Sequence, residues 1–136
     1  EAGGALSNSS DTVGAGVVST TASAANYIGA QGQEGVGFWN KGDFYKSGSA
    51  FSVNPARRVS NVSDVIGIAF DCATGGLWFS KNGVWTNGNP ANADAPLTSI
   101  TTGLSYVIAA SPEDAGYGVM LRETLTYEVP TGFSQW

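Results

Sequence analysis

The chain has 136 residues, 42% hydrophobic and only 12% charged, with a net charge of −5 and no histidine. That length supports one domain with a real core rather than two, and the sparse Lys and Arg exclude a phosphate-tracking nucleic-acid groove or adhesion to an anionic membrane. The missing imidazole excludes Ser-His-Asp and Cys-His devices, and the single cysteine, Cys72, excludes an internal disulfide or a cysteine zinc site.

Glu1 to Thr12 is small and polar and reads as a loop or a truncated first strand; a start at Glu1 rather than Met reads as a fragment or a processed product. Beyond it, short β-rich runs alternate with Gly, Asn, Asp and Ser, and no long apolar stripe shows helical spacing. Strands are predicted at Val13–Ser19, Val36–Trp39, Phe44–Lys46, Val65–Phe70, Gly76–Ser80, Tyr106–Ala110, Gly118–Leu121 and Leu125–Val129, with a long ordered loop over 86–102. Many short strands between turn signals predict an all-β fold, a single domain over 1–136 built as a two-sheet antiparallel β-sandwich.

Two segments echo each other: Phe38-Trp39-Asn40-Lys41-Gly42-Asp43-Phe44-Tyr45 and Trp78-Phe79-Ser80-Lys81-Asn82-Gly83-Val84-Trp85. Each sets aromatics on both sides of a tight glycine-containing turn, so both are predicted hairpins of one design. Asn82-Gly83 carries the stronger signal, because both residues tolerate the left-handed backbone of a type I′ turn. In the run from Val65 to Phe70, Ile66, Ile68 and Phe70 fall on one face and Val65, Gly67 and Ala69 on the other; the large face is expected to be core. Asp64 and Asp71 stand at the ends of that strand as turn-capping residues.

Ser63-Asp64-Val65-Ile66-Gly67-Ile68-Ala69-Phe70-Asp71 followed by Gly76-Leu77-Trp78-Phe79-Ser80-Lys81-Asn82-Gly83 resembles the central signature of SPRY domains, and looks most like the variants in bacteriophage and bacterial proteins. Gly14-Ala15-Gly16-Val17-Val18 with Asn26-Tyr27-Ile28-Gly29, Val36-Gly37-Phe38-Trp39 with Gly42-Asp43-Phe44-Tyr45, and Leu125 to Phe133 are similar to flanking SPRY segments. The family's usual first strand is missing, and Leu121-Arg122-Glu123 replaces its common "N-F-G". The resemblance, over Val13 to Phe133, implies a concanavalin A-like sandwich and a binding role.

A glycosidase would need two carboxylates across a cleft, but no predicted strand carries two acids in alternation. The expectation is therefore no enzyme, with no catalytic residue and no cofactor. Asn87, Asn89 and Asn92-Ala93-Asp94 could offer oxygens to Ca²⁺ or simply serve turns, and no metal site is assigned. Cys72, in a turn, is expected to be shielded. Asn8-Ser9-Ser10 and Asn61-Val62-Ser63 match the glycosylation pattern but carry little weight in so Asn- and Ser-rich a chain. Arg57-Arg58 reads as a rim contact or a solvated face.

Loop aromatics are the useful signal, since Tyr and Trp can stack on sugar rings or anchor a protein partner. The candidate ligand-binding residues are Tyr27, Trp39, Asp43, Phe44, Tyr45, Trp85, Asn87 and Asn89, against a reading of the aromatics as cross-strand packing. The expected function is a recognition domain of a phage tail or virion-surface protein, at the virion surface or extracellular. It would bind host cell-surface glycan or protein and be displayed as a homo-oligomer, a trimer, through its parent chain. The alternatives are a SPRY module that grips a peptide partner and, further off, a glycoside hydrolase.

Overall fold

The computed structural model describes residues 13–23, 25–53, 55–61, 63–112 and 125–135. Its strands are β1 (Val13–Ser19), β2 (Gly35–Trp39), β3 (Asp43–Lys46), β4 (Ser49–Val53), β5 (Ile66–Phe70), β6 (Gly76–Lys81), β7 (Val84–Trp85), β8 (Thr98–Ser99) and β9 (Tyr106–Pro112), with short 3-10 turns at Pro55–Arg57 and Pro90–Asn92. The fold is all-β. One antiparallel sheet runs β4-β3-β2-β1-β9; a second runs β5-β6-β7 with β8 also on β6. Two antiparallel sheets are the composition the predicted β-sandwich requires. The chain divides into two compact units, Glu1–Asp64 with Leu104–Met120 and Val65–Gly103 with Leu121–Trp136, and each holds one sheet.

In the first unit, Val17 stands opposite Val36, Ala15 opposite Phe38, and Phe38 opposite Phe44. Directly opposed residues of an antiparallel pair share a face, so these five make one apolar face, and all are buried. Burying side chains such as Val36 and Phe44 contributes about 1.5–3 kcal/mol each. The opposite face is glycine-lined, with Gly14, Gly16, Gly35 and Gly37. The segment before β2 crosses it closely: a Cβ at Gly37 would stand 2.5 Å from the Ile28 carbonyl oxygen. A glycine strand interior admits backbone that near.

In the second unit, Ile68 pairs with Phe79 and Phe70 with Leu77, while Ala69 pairs with Trp78 and Gly67 with Ser80. Leu77 and Phe79 on the large face are fully buried. Ile66, Ile68 and Phe70 on that face are only half-buried, because among the described residues β5 has β6 as its one neighbour. Trp78 is buried as well: its ring meets Phe133 edge-on at 5.9 Å and its Nε1–H donates to the Asp94 carbonyl at 3.2 Å. The 86–102 segment is a loop, as predicted, broken by one 3-10 turn and the two residues of β8.

Several expectations are corrected. β4 and the short β8 are strands the sequence pattern did not mark. Leu125–Val129 forms no strand; Leu125, Tyr127 and Val129 are exposed, and the Tyr127 ring instead lies against Gly83 at a hairpin tip. No partner strand for this segment exists among the described residues. Gly118–Leu121 and the Asn8-Ser9-Ser10 pattern lie outside the described residues.

Candidate functional site

Tyr27, Trp39 and Tyr45 come from a loop, the end of β2 and the middle of β3, and the first unit brings their rings together. Tyr27 to Trp39 is 5.9 Å between centroids at 72°, Tyr27 to Tyr45 6.2 Å at 87°, and Trp39 to Tyr45 6.4 Å at 79°. All three contacts are edge-to-face, the geometry the ring quadrupole favours. Trp39 is 2% exposed and forms the floor, while both tyrosines are half-buried. The indole lies over Gly14, where a Cβ would meet ring atoms at 2.9–3.0 Å. Its Nε1–H is buried and has no acceptor among the described residues.

The loop that carries Tyr27 is pinned at several points. Gly48 N–H donates to the Gly29 carbonyl at 2.7 Å, Ala30 N–H to the Tyr27 carbonyl at 3.1 Å, and the Gln33 side-chain amide to the Ser23 carbonyl at 2.8 Å. Gly48 and Ser47 both have positive φ (82° and 53°), which closes β3 and β4 by a two-residue turn and presents that N–H to the loop. The Tyr27 backbone is thus tied to its own loop and, through Gly29, to the β3–β4 turn.

Phe44 does not belong with them. It is fully buried, packs on Phe38 at 4.8 Å and Phe51 at 6.0 Å, and carries the Arg57 guanidinium 5.5 Å above its ring. Strand alternation separates it from its neighbour Tyr45, so it serves packing. Arg57 also donates to Ser52 Oγ at 2.9 Å. Asp43 heads β3 and is buried.

Trp85, Asn87 and Asn89 belong to the second unit. Trp85 is half-buried opposite Ser80. Asn87 Nδ2 donates to the carbonyls of Ala95 and Pro96 at 3.4 and 3.3 Å, Asn89 Oδ1 accepts from Ala91 N–H at 3.0 Å, and Asp94 Oδ2 accepts from Asn89 N–H at 2.7 Å. These side chains close their own loop, which is the turn role. Among the described residues no group of three or more His, Cys, Asp or Glu is placed to hold a metal ion.

Asp64 Oδ2 accepts from Ser60 and Asn61 N–H, and Asp71 accepts from Ala73 N–H at 2.8 Å and Thr74 Oγ1 at 2.6 Å. The Thr74 hydroxyl first, then the Ala73 N–H, hold the Asp71 carboxyl below its ordinary range. Cys72, expected to be shielded, is exposed: the turn folds around Asp71 and points the next side chain outward. The pattern also missed Tyr106, whose hydroxyl is pushed up to about 12 by burial and then by the Glu34 carboxylate it bonds. Tyr106 lies opposite Ser19, and Ser19 N–H binds the Glu34 carbonyl at 2.9 Å, so strand pairing brings the two together. A second missed residue is Asn40, buried in the first hairpin turn, which binds Val13 and Val59.

In comparisons with known proteins, no family model, no curated protein and no solved structure matches this chain.

Proposed function

We propose that the chain is a non-catalytic, SPRY-like recognition domain of a phage tail or virion-surface protein, and that it meets host cell-surface glycan or protein through Tyr27 and Tyr45 over the Trp39 floor. The observation that carries this reading is the convergence of three aromatics from a pinned loop and two strands into one interlocked cluster, two half-buried tyrosines over a buried tryptophan. Aromatic faces suit the C–H faces of sugar rings and the apolar anchors of a protein partner alike. The hydroxyl- and amide-rich, weakly charged composition fits hydrogen bonding to neutral glycans. The domain would be displayed in several copies, as a trimer through its parent chain, so that weak single contacts add up as avidity.

The test measures binding of the domain to a glycan array and to isolated host surface material, beside Tyr27→Ala and Tyr45→Ala. Each variant is expected to weaken binding by at least about 1 kcal/mol while the urea midpoint of the fold stays within the range of ordinary surface substitutions. No binding to either material, together with intact infectivity when the domain is deleted from its parent protein, would overturn the reading. Recovery of a single peptide motif in place of surface glycan or protein would replace it with a peptide-gripping module.

A further inference from the structure

The sequence holds two Asn-Gly pairs, Asn82-Gly83 and Asn87-Gly88. In such a pair the glycine nitrogen can attack Cγ of the asparagine. A five-membered imide forms, the Cγ–Nδ2 bond breaks, and the nitrogen leaves as ammonia. Water then opens the imide at either carbonyl, giving aspartate or isoaspartate. Ring closure requires the glycine nitrogen and the asparagine Cβ to lie on the same side of the Cα–C bond.

The fold forbids this at Asn82. Lys81 pairs with Val84, and Asn82 and Gly83 have φ of 52° and 78°, which is a two-residue type I′ turn. The first residue of that turn has ψ near about +30°, which places the next nitrogen almost opposite Cβ. The side chain is also held: Asn82 Oδ1 accepts from Val65 N–H at 2.8 Å, and Asn82 N–H donates to the Val65 carbonyl at 2.8 Å.

Asn87 lacks the turn restraint and is held at its side chain by longer bonds. It is exposed and lies outside the left-handed region, and its side chain is held only by two long bonds of 3.3 and 3.4 Å. Among the described residues the Gly88 N–H has no hydrogen-bond partner, so no hydrogen bond has to break before the nitrogen attacks.

We propose that Asn87-Gly88 is a site of spontaneous deamidation in the folded chain, and that the type I′ turn protects Asn82-Gly83. Conversion removes the Nδ2 donor from the Ala95 and Pro96 carbonyls and sets a negative charge against them. The 86–95 loop then loses the clasp that closes it.

The experiment incubates the full chain at mildly alkaline pH and maps the amide-to-acid mass gain and isoaspartate by peptide. Asn87 is expected to convert at least roughly tenfold faster than Asn82, the ratio produced by a barrier difference of about 1.4 kcal/mol. In urea the two rates should converge, because the protection belongs to the turn. An Asn87→Gln chain should show no conversion at that position while Asn82 stays slow. Conversion of Asn82 as fast as Asn87 in the native chain, or no conversion of Asn87, overturns the proposal.

Discussion

The three-strand meanders β1-β2-β3 and β5-β6-β7 share one clamp and differ in what surrounds it. In the first, Asn40 N–H donates to the Val13 carbonyl at 3.0 Å and Asn40 Oδ1 accepts from Val13 N–H at 3.2 Å. In the second, Asn82 makes the same two bonds with Val65, each 2.8 Å. The residue after each valine then pairs with the residue before each asparagine: Gly14 with Trp39, Ile66 with Lys81. The device fixes where the returning turn meets the start of the first strand. Its surroundings decide the rest. Asn40 is buried beside Trp39, and that face carries a glycine strip crossed by the Tyr27 loop; Asn82 is exposed beside a lysine.

The largest separation between the meanders is expected at their mid-strand glycines. At Gly37 an added methyl meets backbone, the Ile28 carbonyl, which moves only with the whole loop. Gly37→Ala should cost about 1–3 kcal/mol as overpacking and loosen the Tyr27 loop. At Gly67 the obstacle is only the Ser80 hydroxyl, which can rotate away. Gly67→Ala also restricts the unfolded chain, worth about 0.4–1 kcal/mol in favour of folding, so its net effect should be near zero. Urea midpoints measure both, and equal costs would show that the first sheet does not depend on its glycine strip.

The clamps themselves should separate next. Asn40→Ala leaves a partly buried Val13 N–H without its acceptor, a loss of about 1–3 kcal/mol. Asn82→Gly suits φ of 52° and leaves an exposed N–H that water can bind, so it should cost well under 1 kcal/mol, by roughly the few tenths seen when glycine replaces a capping side chain. If Asn82→Gly proves as costly as Asn40→Ala, burial is not what distinguishes the two.

The shared hairpin design was legible in the sequence because glycine, asparagine and flanking aromatics act locally, within one turn. The position of β5 followed from its alternation, and those of β1 and β6 from short β-rich runs bounded by turn residues, for the same reason. β4 was not, since Ser49-Ala50-Phe51-Ser52-Val53 shows weak alternation and owes its place to the Ser47-Gly48 turn and its pairing with β3. The candidate site was half legible. Tyr27, Trp39 and Tyr45 could be named as loop-flanking aromatics, and alternation sets Tyr45 and Phe44 on opposite faces, but packing decides which face gathers the cluster, and only the glycine strip explains how the Tyr27 loop reaches it. Leu125–Val129 has the alternation of a strand without a ladder partner among the described residues, and a strand exists only by pairing.

The first unit also holds a titrating contact. Tyr106 is raised from 10 to about 12 in the fold by burial and by Glu34. The folded state therefore favours the neutral phenol. The contribution is fully present below the ordinary tyrosine value and is lost as pH rises from there through about 12. Ultraviolet titration should show the Tyr106 phenolate appearing above the ordinary tyrosine value, and Tyr106→Phe should remove that step and flatten the fall of the urea midpoint in this window. A Tyr106 that ionises at the ordinary tyrosine value would separate it from Glu34.

The smallest effect is expected at the opposite end of the pH scale, in the β5–β6 turn. Asp71 is depressed, so its contribution is present above the ordinary aspartate value and is lost as pH falls below that value through the folded one. The carboxyl is solvent-exposed, and water can replace any partner it loses, which keeps the effect on stability slight. Thr74 supplies the largest cause, so Thr74→Val should move the Asp71 titration back toward its ordinary value, as read by side-chain carboxyl NMR, with the urea midpoint almost unmoved. An unchanged Asp71 titration would assign the depression to the Ala73 N–H. A large fall in the midpoint would show that this turn supports the second meander as firmly as the buried Asn40 turn supports the first.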